Sequence, residues 1–515
     1  MTESPTARPR TLSEESQFGV SESVDDLWVE PAKPRTLEII KEIQQLKVMC
    51  ISTPEGGHLV PMVQVAIALA ERQHEVQVVT CAWAGTKMAE RCRKSGCTFV
   101  GVAEHVQGAE TGQGRAAELA KAGMPLAMFF HYNDEMKAEV RAHMEQWRPD
   151  IVVADFITPC AWDVADELNI RVVVNFPGPL DFLSKWSPLA QRKLRPVWKK
   201  KFPPTEVAAL ERITTDMMTI RCTRPCLVHT FFGLENPMPV MPNIIVTGSV
   251  APRNCSEAGE TSMPLFNDWL EAVRAQGLQI VYVTMGSMQV LEEYQVEAFY
   301  NGLREIPGIA VAWSLKENQQ AFLPEKSSSE KFDKFFVNKW MPQAEALQLP
   351  EVCVVMTHCG WGGLNETICA GKPIVATPFR ADQPVNAAVA RRQGMAELIN
   401  MASVTAADVQ KTVTKVVRDP SYKAAAKRMQ DALLKTGGAE LCAESIENWA
   451  RNGFDEVCSE PVTLEDEVRT LMGPAVHAAF GAALMWLVPR VLQVAWPLGR
   501  NMCQSVVARL LKLGA

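Results

Sequence analysis

Residues 340–387 read WMPQAEALQLPEVCVVMTHCGWGGLNETICAGKPIVATPFRADQPVNA. Two apolar runs of buried-strand character, VCVVMT (352–357) and PIVATP (373–378), bracket a helical stretch, LNETICAG (364–371). The first run ends at His358, and a glycine-rich turn (Gly360, Gly362, Gly363) opens the helix. Strand, tight turn, helix, strand at this spacing is a parallel crossover unit. The pattern repeats outward on both sides. Upstream in the same half lie QIVYVTMGS (279–287), IAVAWSL (309–315) and KFFVNKW (334–340). Nearer the start, KVMCIST (47–53), EVQVVTC (75–81), CTFVGV (97–102), DIVVADF (150–156) and RVVVNF (171–176) alternate with helical stretches such as MVQVAIALAERQ. The reading is α/β, with two doubly wound, Rossmann-like domains facing a cleft.

Their boundaries follow from composition. Residues 1–46 are polar and acidic and lack an apolar run behind a basic start, so they predict a disordered, flexible arm and no secretory signal. Residues 47–248 form the first domain, 249–264 a linker rich in Gly, Ser, Pro and Glu, and 265–450 the second domain. Residues 451–515 form a tail whose apolar stretch, TLMGPAVHAAFGAALMWLVP, carries no formal charge. A surface-lying helix, a span and a helix folded on the body all fit it, so membrane contact through residues 470–513 stays open. The body is expected on the cytoplasmic side and not secreted.

The chain has 515 residues, 47% hydrophobic and 22% charged, which excludes a fibrous or largely disordered protein. Its 52 basic against 59 acidic residues argue against a nucleic-acid partner. Fourteen cysteines without a paired framework or zinc spacing read as reduced thiols.

Ligands of such folds bind beyond the carboxyl ends of strands, so the chemistry is sought in those loops. Backbone amides at the start of the helix after His358 suit phosphate, and His358 can add a hydrogen bond or charge. Glu366 can accept from ribose hydroxyls, Asp382 and Gln383 offer acceptors and a donor to a sugar, and Trp340 offers a flat face to a base. Each feature has a plain structural alternative: a Trp at a strand end is usually core, and a glycine turn usually only turns. In the first domain, His58 follows Gly56-Gly57 at the end of a strand, and Asp155 ends another strand of the same sheet. A base oriented by a carboxylate fits them, but so do two helix caps.

The segment resembles the nucleotide-sugar signature of the UDP-glycosyltransferases, inverting enzymes of the two-Rossmann GT-B fold. The match runs through Trp340, Gln343, Thr357, His358, Cys359, Gly360, Trp361, Glu366, Gly371, Pro373, Asp382, Gln383, Asn386 and Ala387. The resemblance extends over nearly all of residues 47–450. It implies that Trp340 stacks on uracil with Gln343 nearby. His358 and the amides around Gly360 and Trp361 would hold the diphosphate, with Ser287 approaching from a neighbouring loop. Glu366 would bind ribose, Asp382 and Gln383 the sugar, and His58 would be the general base partnered by Asp155. Two departures stand out: Gly362-Gly363 replace the usual Asn-Ser, and Leu349 replaces a usual His.

The implied reaction transfers a hexose, glucose by family habit, from a UDP-sugar co-substrate to a hydroxyl of a small lipophilic acceptor. Diphosphate departure needs no second acid, and without an Asp-x-Asp pair near these loops no metal or other cofactor is expected. Phe129, Phe130, Phe156 and Phe182, and the basic, Trp-containing stretch 185–204, are candidates for the acceptor side. Rival readings are a non-catalytic nucleotide-sugar binder and another two-Rossmann enzyme, such as a nucleotide-sugar epimerase. The missing G-x-G-x-x-G after the first strand weighs against an NAD enzyme.

Overall fold

The computed structural model describes residues 45–461 except 185, 236–237, 252–259, 287–288, 325–332, and adds residues 463 and 465–466. The expectations for Ser287, the N-terminal arm, most of the linker and residues 470–513 concern residues outside these. Among the described residues, no helix is long and apolar enough to cross a membrane.

The first sheet contains β1 (Lys47–Ile51), β2 (Glu75–Cys81), β3 (Thr98–Val102), β4 (Ile151–Asp155), β5 (Arg171–Phe176), β6 (Cys226–Val228) and β7 (Ile244–Val246). Its order is β3-β2-β1-β4-β5-β6-β7, parallel throughout. The second contains β8 (Gln279–Thr284), β9 (Ile309–Ser314), β10 (Phe335–Asn338), β11 (Val352–Thr357), β12 (Ile374–Ala376) and β13 (Ala396–Leu398). Its order is β10-β9-β8-β11-β12-β13, again parallel. Helices cover both faces of each sheet, so central strands such as β4 are apolar on both sides and buried along their length.

Each sheet reverses its winding at one place, between β1 and β4 in the first and between β8 and β11 in the second. The loops after these strands diverge and leave a crevice. His58 follows β1 and Asp155 ends β4, while Gly286 follows β8 and His358 follows β11. All four sit at the reversal points.

The last long helix among the described residues, Gly438–Asn452, falls inside the stretch assigned from sequence to the second domain, yet it packs on the first. Its Cys442, Ala443, Ile446 and Trp449 share one core with Val48, Leu59, Met62 and Val153. Over the described residues the chain therefore passes between domains twice. At the return, Gly438 N–H donates to the Thr247 carbonyl at 2.6 Å. Gly248 has φ +85°, and a Cβ there would fall 1.8 Å from Thr436 Oγ1, so the two passages touch only because this residue has no side chain.

Candidate active site

The helix Gly56–Glu71 begins directly after β1 and carries His58 in its first turn, near the end of β4. His58 Nδ1 lies 3.0 Å from Asp155 Oδ1. Asp155 is wholly buried, while the His58 side chain keeps 17% of its surface open. An ionised carboxylate can only accept, so Nδ1 carries the proton and Nε2 presents a lone pair. The same Oδ1 also accepts from Ile157 N–H at 3.1 Å, which fixes the carboxylate. Phe129 and Phe156 flank the imidazole with ring centroids at 5.1 and 5.4 Å. Burial disfavours the charged ring, but Asp155's charge and hydrogen bond, joined by Glu55 and Asp382, prevail and hold its pKa above the ordinary histidine value.

Asp382 belongs to the second domain, so its influence on His58 sets the two side chains across the cleft from one another. Burial raises the Asp382 carboxyl, partly offset by a hydrogen bond from Asn386 Nδ2 (2.7 Å). The Trp361 indole is buried and donates to the His229 carbonyl at 3.1 Å, tying the domains together. His229 itself bridges Asn175 (2.6 Å) and Thr247 (3.0 Å), and burial pushes its pKa down to about 3.

His358 is clamped between two glycines. A Cβ on Gly286 (φ +69°) would lie 2.7 Å from its ring and one on Gly360 2.5 Å. Burial lowers the imidazole to about 4, so at neutral pH it is uncharged. Of the two contributions expected from sequence, hydrogen bond or charge, this environment favours the bond. The helix Trp361–Cys369 that follows has Gly360 at its N-cap and no capping side chain, and a Cβ on Gly362 would meet nothing within 4 Å. Glu366 accepts a hydrogen bond from Gln343, and burial raises its carboxyl. Trp340 is 48% exposed. Gln383 Oε1 accepts from Phe379 N–H (2.9 Å) and Arg380 N–H (3.2 Å), so its carbonyl braces its own loop and leaves the NH2 for a ligand. Leu349 is buried in the core. No group of three His, Cys, Asp or Glu suited to a metal ion occurs among the described residues.

Several contributors escape sequence reasoning. Glu55, three residues before His58, turns inward and accepts from Tyr132 Oη at 3.2 Å. His74, readable only as a turn residue, accepts from Leu46 N–H through Nδ1 (3.2 Å) and therefore donates through Nε2 to Glu447 (2.8 Å). Arg72 adds a bond to the same carboxylate at 2.6 Å. Of the other acceptor-side candidates, Phe182 packs edge-on against Trp186.

Residues 184–433 match the family model "UDP-glucoronosyl and UDP-glucosyl transferase". Curated relatives include UDP-glucuronosyltransferase 2A1 of Rattus norvegicus, 33% identical over 223 residues, which are 43% of this chain and 39% of that one. UDP-glucuronosyltransferase 2A2 of Homo sapiens is 31% identical over 222 residues, 43% and 38% of the two chains. Over this stretch the chain is similar to the UDP-glycosyltransferases. It spans about two fifths of the length of these relatives. Among solved structures, TcCGT1 in complex with UDP superposes with a TM-score of 0.64 at 16% identity, covering 79% of this chain and all of that one. Medicago truncatula UGT71G1 complexed with UDP-glucose gives 0.61 at 17% identity, covering 79% and 99%. Both are likenesses of fold, and the two facing parallel sheets are those of the GT-B glycosyltransferases.

Proposed function

We propose that this protein transfers a hexosyl group, glucose, from a UDP-sugar to a hydroxyl of a small lipophilic acceptor, inverting the anomeric carbon. The observation that carries the reading is the His58–Asp155 pair, oriented with Nε2 unprotonated and Asp382 of the opposite domain within electrostatic reach. Nε2 removes the acceptor proton as the oxygen attacks C1, and the bond from C1 to the diphosphate breaks on the other face. Asp155 stabilises the imidazolium that forms and keeps the ring in the productive tautomer. On the donor side, His358 contributes an N–H, and the uncapped start of the helix Trp361–Cys369 contributes amides to the departing charge. Trp340 stacks on uracil, and Glu366, held by Gln343, receives ribose hydroxyls. The Gln383 NH2 and Asp382 hold the sugar.

Phe129 and Phe156 beside His58 support an apolar acceptor body next to the reacting hydroxyl. The reading requires no metal. The test is UDP release with UDP-glucose, UDP-glucuronate or UDP-galactose across a panel of lipophilic alcohols and phenols. A glucoside formed by the wild type and lost in His58→Ala supports it. Binding of a UDP-sugar without turnover on any acceptor would leave a nucleotide-sugar binder instead.

A further inference from the structure

Three cysteines gather where the chain beyond Gly438–Asn452 returns to the first domain. Ser459 N–H donates to the Cys222 carbonyl at 2.9 Å, which holds Cys458 beside the end of the helix Pro204–Thr223. Cys226 opens β6 four residues further on. All three thiols are free.

They are not equivalent. Cys226 is buried, its Sγ faces the carbonyls of Arg224 (3.5 Å) and Ile220 (3.6 Å), and its backbone is held between β5 and β7. Cys222 sits one residue before the helix end, its Sγ 3.9 Å from the Met241 sulfur. Cys458 is half-buried, so among the three it is the one a dissolved reagent can reach. A backbone hydrogen bond between adjoining residues brings two α-carbons near the separation a disulfide spans.

We propose that Cys458 and Cys222 form a reversible thiol–disulfide modification site. The oxidant is a low-molecular-weight disulfide of the glutathione class. The Cys458 thiolate attacks one sulfur of it, forming a mixed disulfide and expelling one thiolate. The Cys222 thiolate then attacks the Cys458 sulfur, forming the protein disulfide and expelling the second thiolate. Two protein thiols are oxidised, one external disulfide is reduced to two thiols, and the two protons pass to the leaving sulfurs. The product is a covalent ring of residues 222–458 that contains the whole second domain and both interdomain passages.

The site is independent of the proposed catalytic chemistry, so its test needs no sugar. The full-length protein is incubated with oxidised glutathione near pH 8.5, where thiols begin to ionise, then alkylated and mapped by mass spectrometry without reduction. The expected product is a Cys222–Cys458 linked peptide that dithiothreitol releases. It should be accompanied by faster migration of the denatured chain on a non-reducing gel, because the ring restricts its expansion. Cys458→Ser, at a half-buried position that tolerates a hydroxyl, should abolish both signals while leaving the reduced-state Tm unchanged. A Cys226–Cys458 link, glutathione retained on Cys458 without ring closure, or no product would each overturn the assignment.

Discussion

Replacing Asp155 with Asn exchanges one oxygen for an amide nitrogen and keeps the side-chain shape, yet it removes the buried negative charge that faces His58. In the wild type the carboxylate accepts from Nδ1 at 3.0 Å and leaves Nε2 as the base. The Oδ1 atom is also fixed by Ile157 N–H, so the Asn oxygen should keep that bond, and its NH2 would occupy the buried Oδ2 position. The Asn oxygen at the Oδ1 position still accepts from Nδ1–H, so the tautomer is kept, but the imidazolium formed in transfer loses its buried counter-charge. General-base assistance is worth roughly 10²–10⁴-fold. A fall of roughly 10²–10⁴-fold in kcat is therefore expected.

The pH profile separates this from a folding defect. His58 must be neutral to act, and its folded pKa is raised, so wild-type kcat/KM should be lost as pH falls through a value above that of an ordinary histidine. In Asp155→Asn, burial is opposed only by Glu55 and Asp382, so the acid limb should move to lower pH. The assay is UDP release with saturating donor across pH 5–9 (a range chosen to bracket ~6.5), with His58→Ala as the floor. A variant that keeps wild-type kcat with an unmoved acid limb would refute the assignment of the pair.

Trp340→Ala should weaken UDP by roughly 1–3 kcal/mol, the usual worth of one stacked base, measured by calorimetric titration; unchanged affinity would remove Trp340 from the uracil site. Glu447→Gln should cost about 2–3 kcal/mol, since hydrogen bonds to charged groups are worth roughly 1.5–3, read from the urea midpoint. Arg72 and His74 lower the Glu447 carboxyl to about 2, so its contribution is complete above the ordinary Glu range and fades as pH falls through about 2. The Gln variant should lack that part of the acid destabilisation. Exhaustive chelation with EDTA should leave the transfer rate unchanged; a loss restored by Mg²⁺ or Mn²⁺ would show that the helix amides and His358 are insufficient for the leaving group.

The strand and helix alternation could be read from sequence because buried parallel strands are continuous apolar runs bounded by turn residues. His58 and Asp155 could be picked out because each lies at or just beyond a strand end, where polar residues are conspicuous. The partners of other residues could not be read. Ile446 and Trp449 announce a buried helix face, but periodicity does not say that Leu59 and Met62 of the other domain cover it. Trp361 looked like part of the donor signature, while its indole is spent on His229. His74 and Glu447 are 373 residues apart, and nothing local in either stretch marks the other. The carbonyl of Gln383 goes to its own loop, a local choice visible only once the backbone of residues 379–383 is traced.

The returning helix also imposes an order of events during synthesis. The first domain's sheet is complete once β7 has emerged, but the surface formed by Val48, Leu59 and Met62 lacks Ile446 and Trp449 until about 200 more residues have been made. At ~5–20 residues per second this takes roughly 10–40 s. Throughout that interval the nascent first domain presents an open apolar groove to solvent. The groove is a natural station for a chaperone on the ribosome, and premature termination within the second domain would leave it permanently exposed.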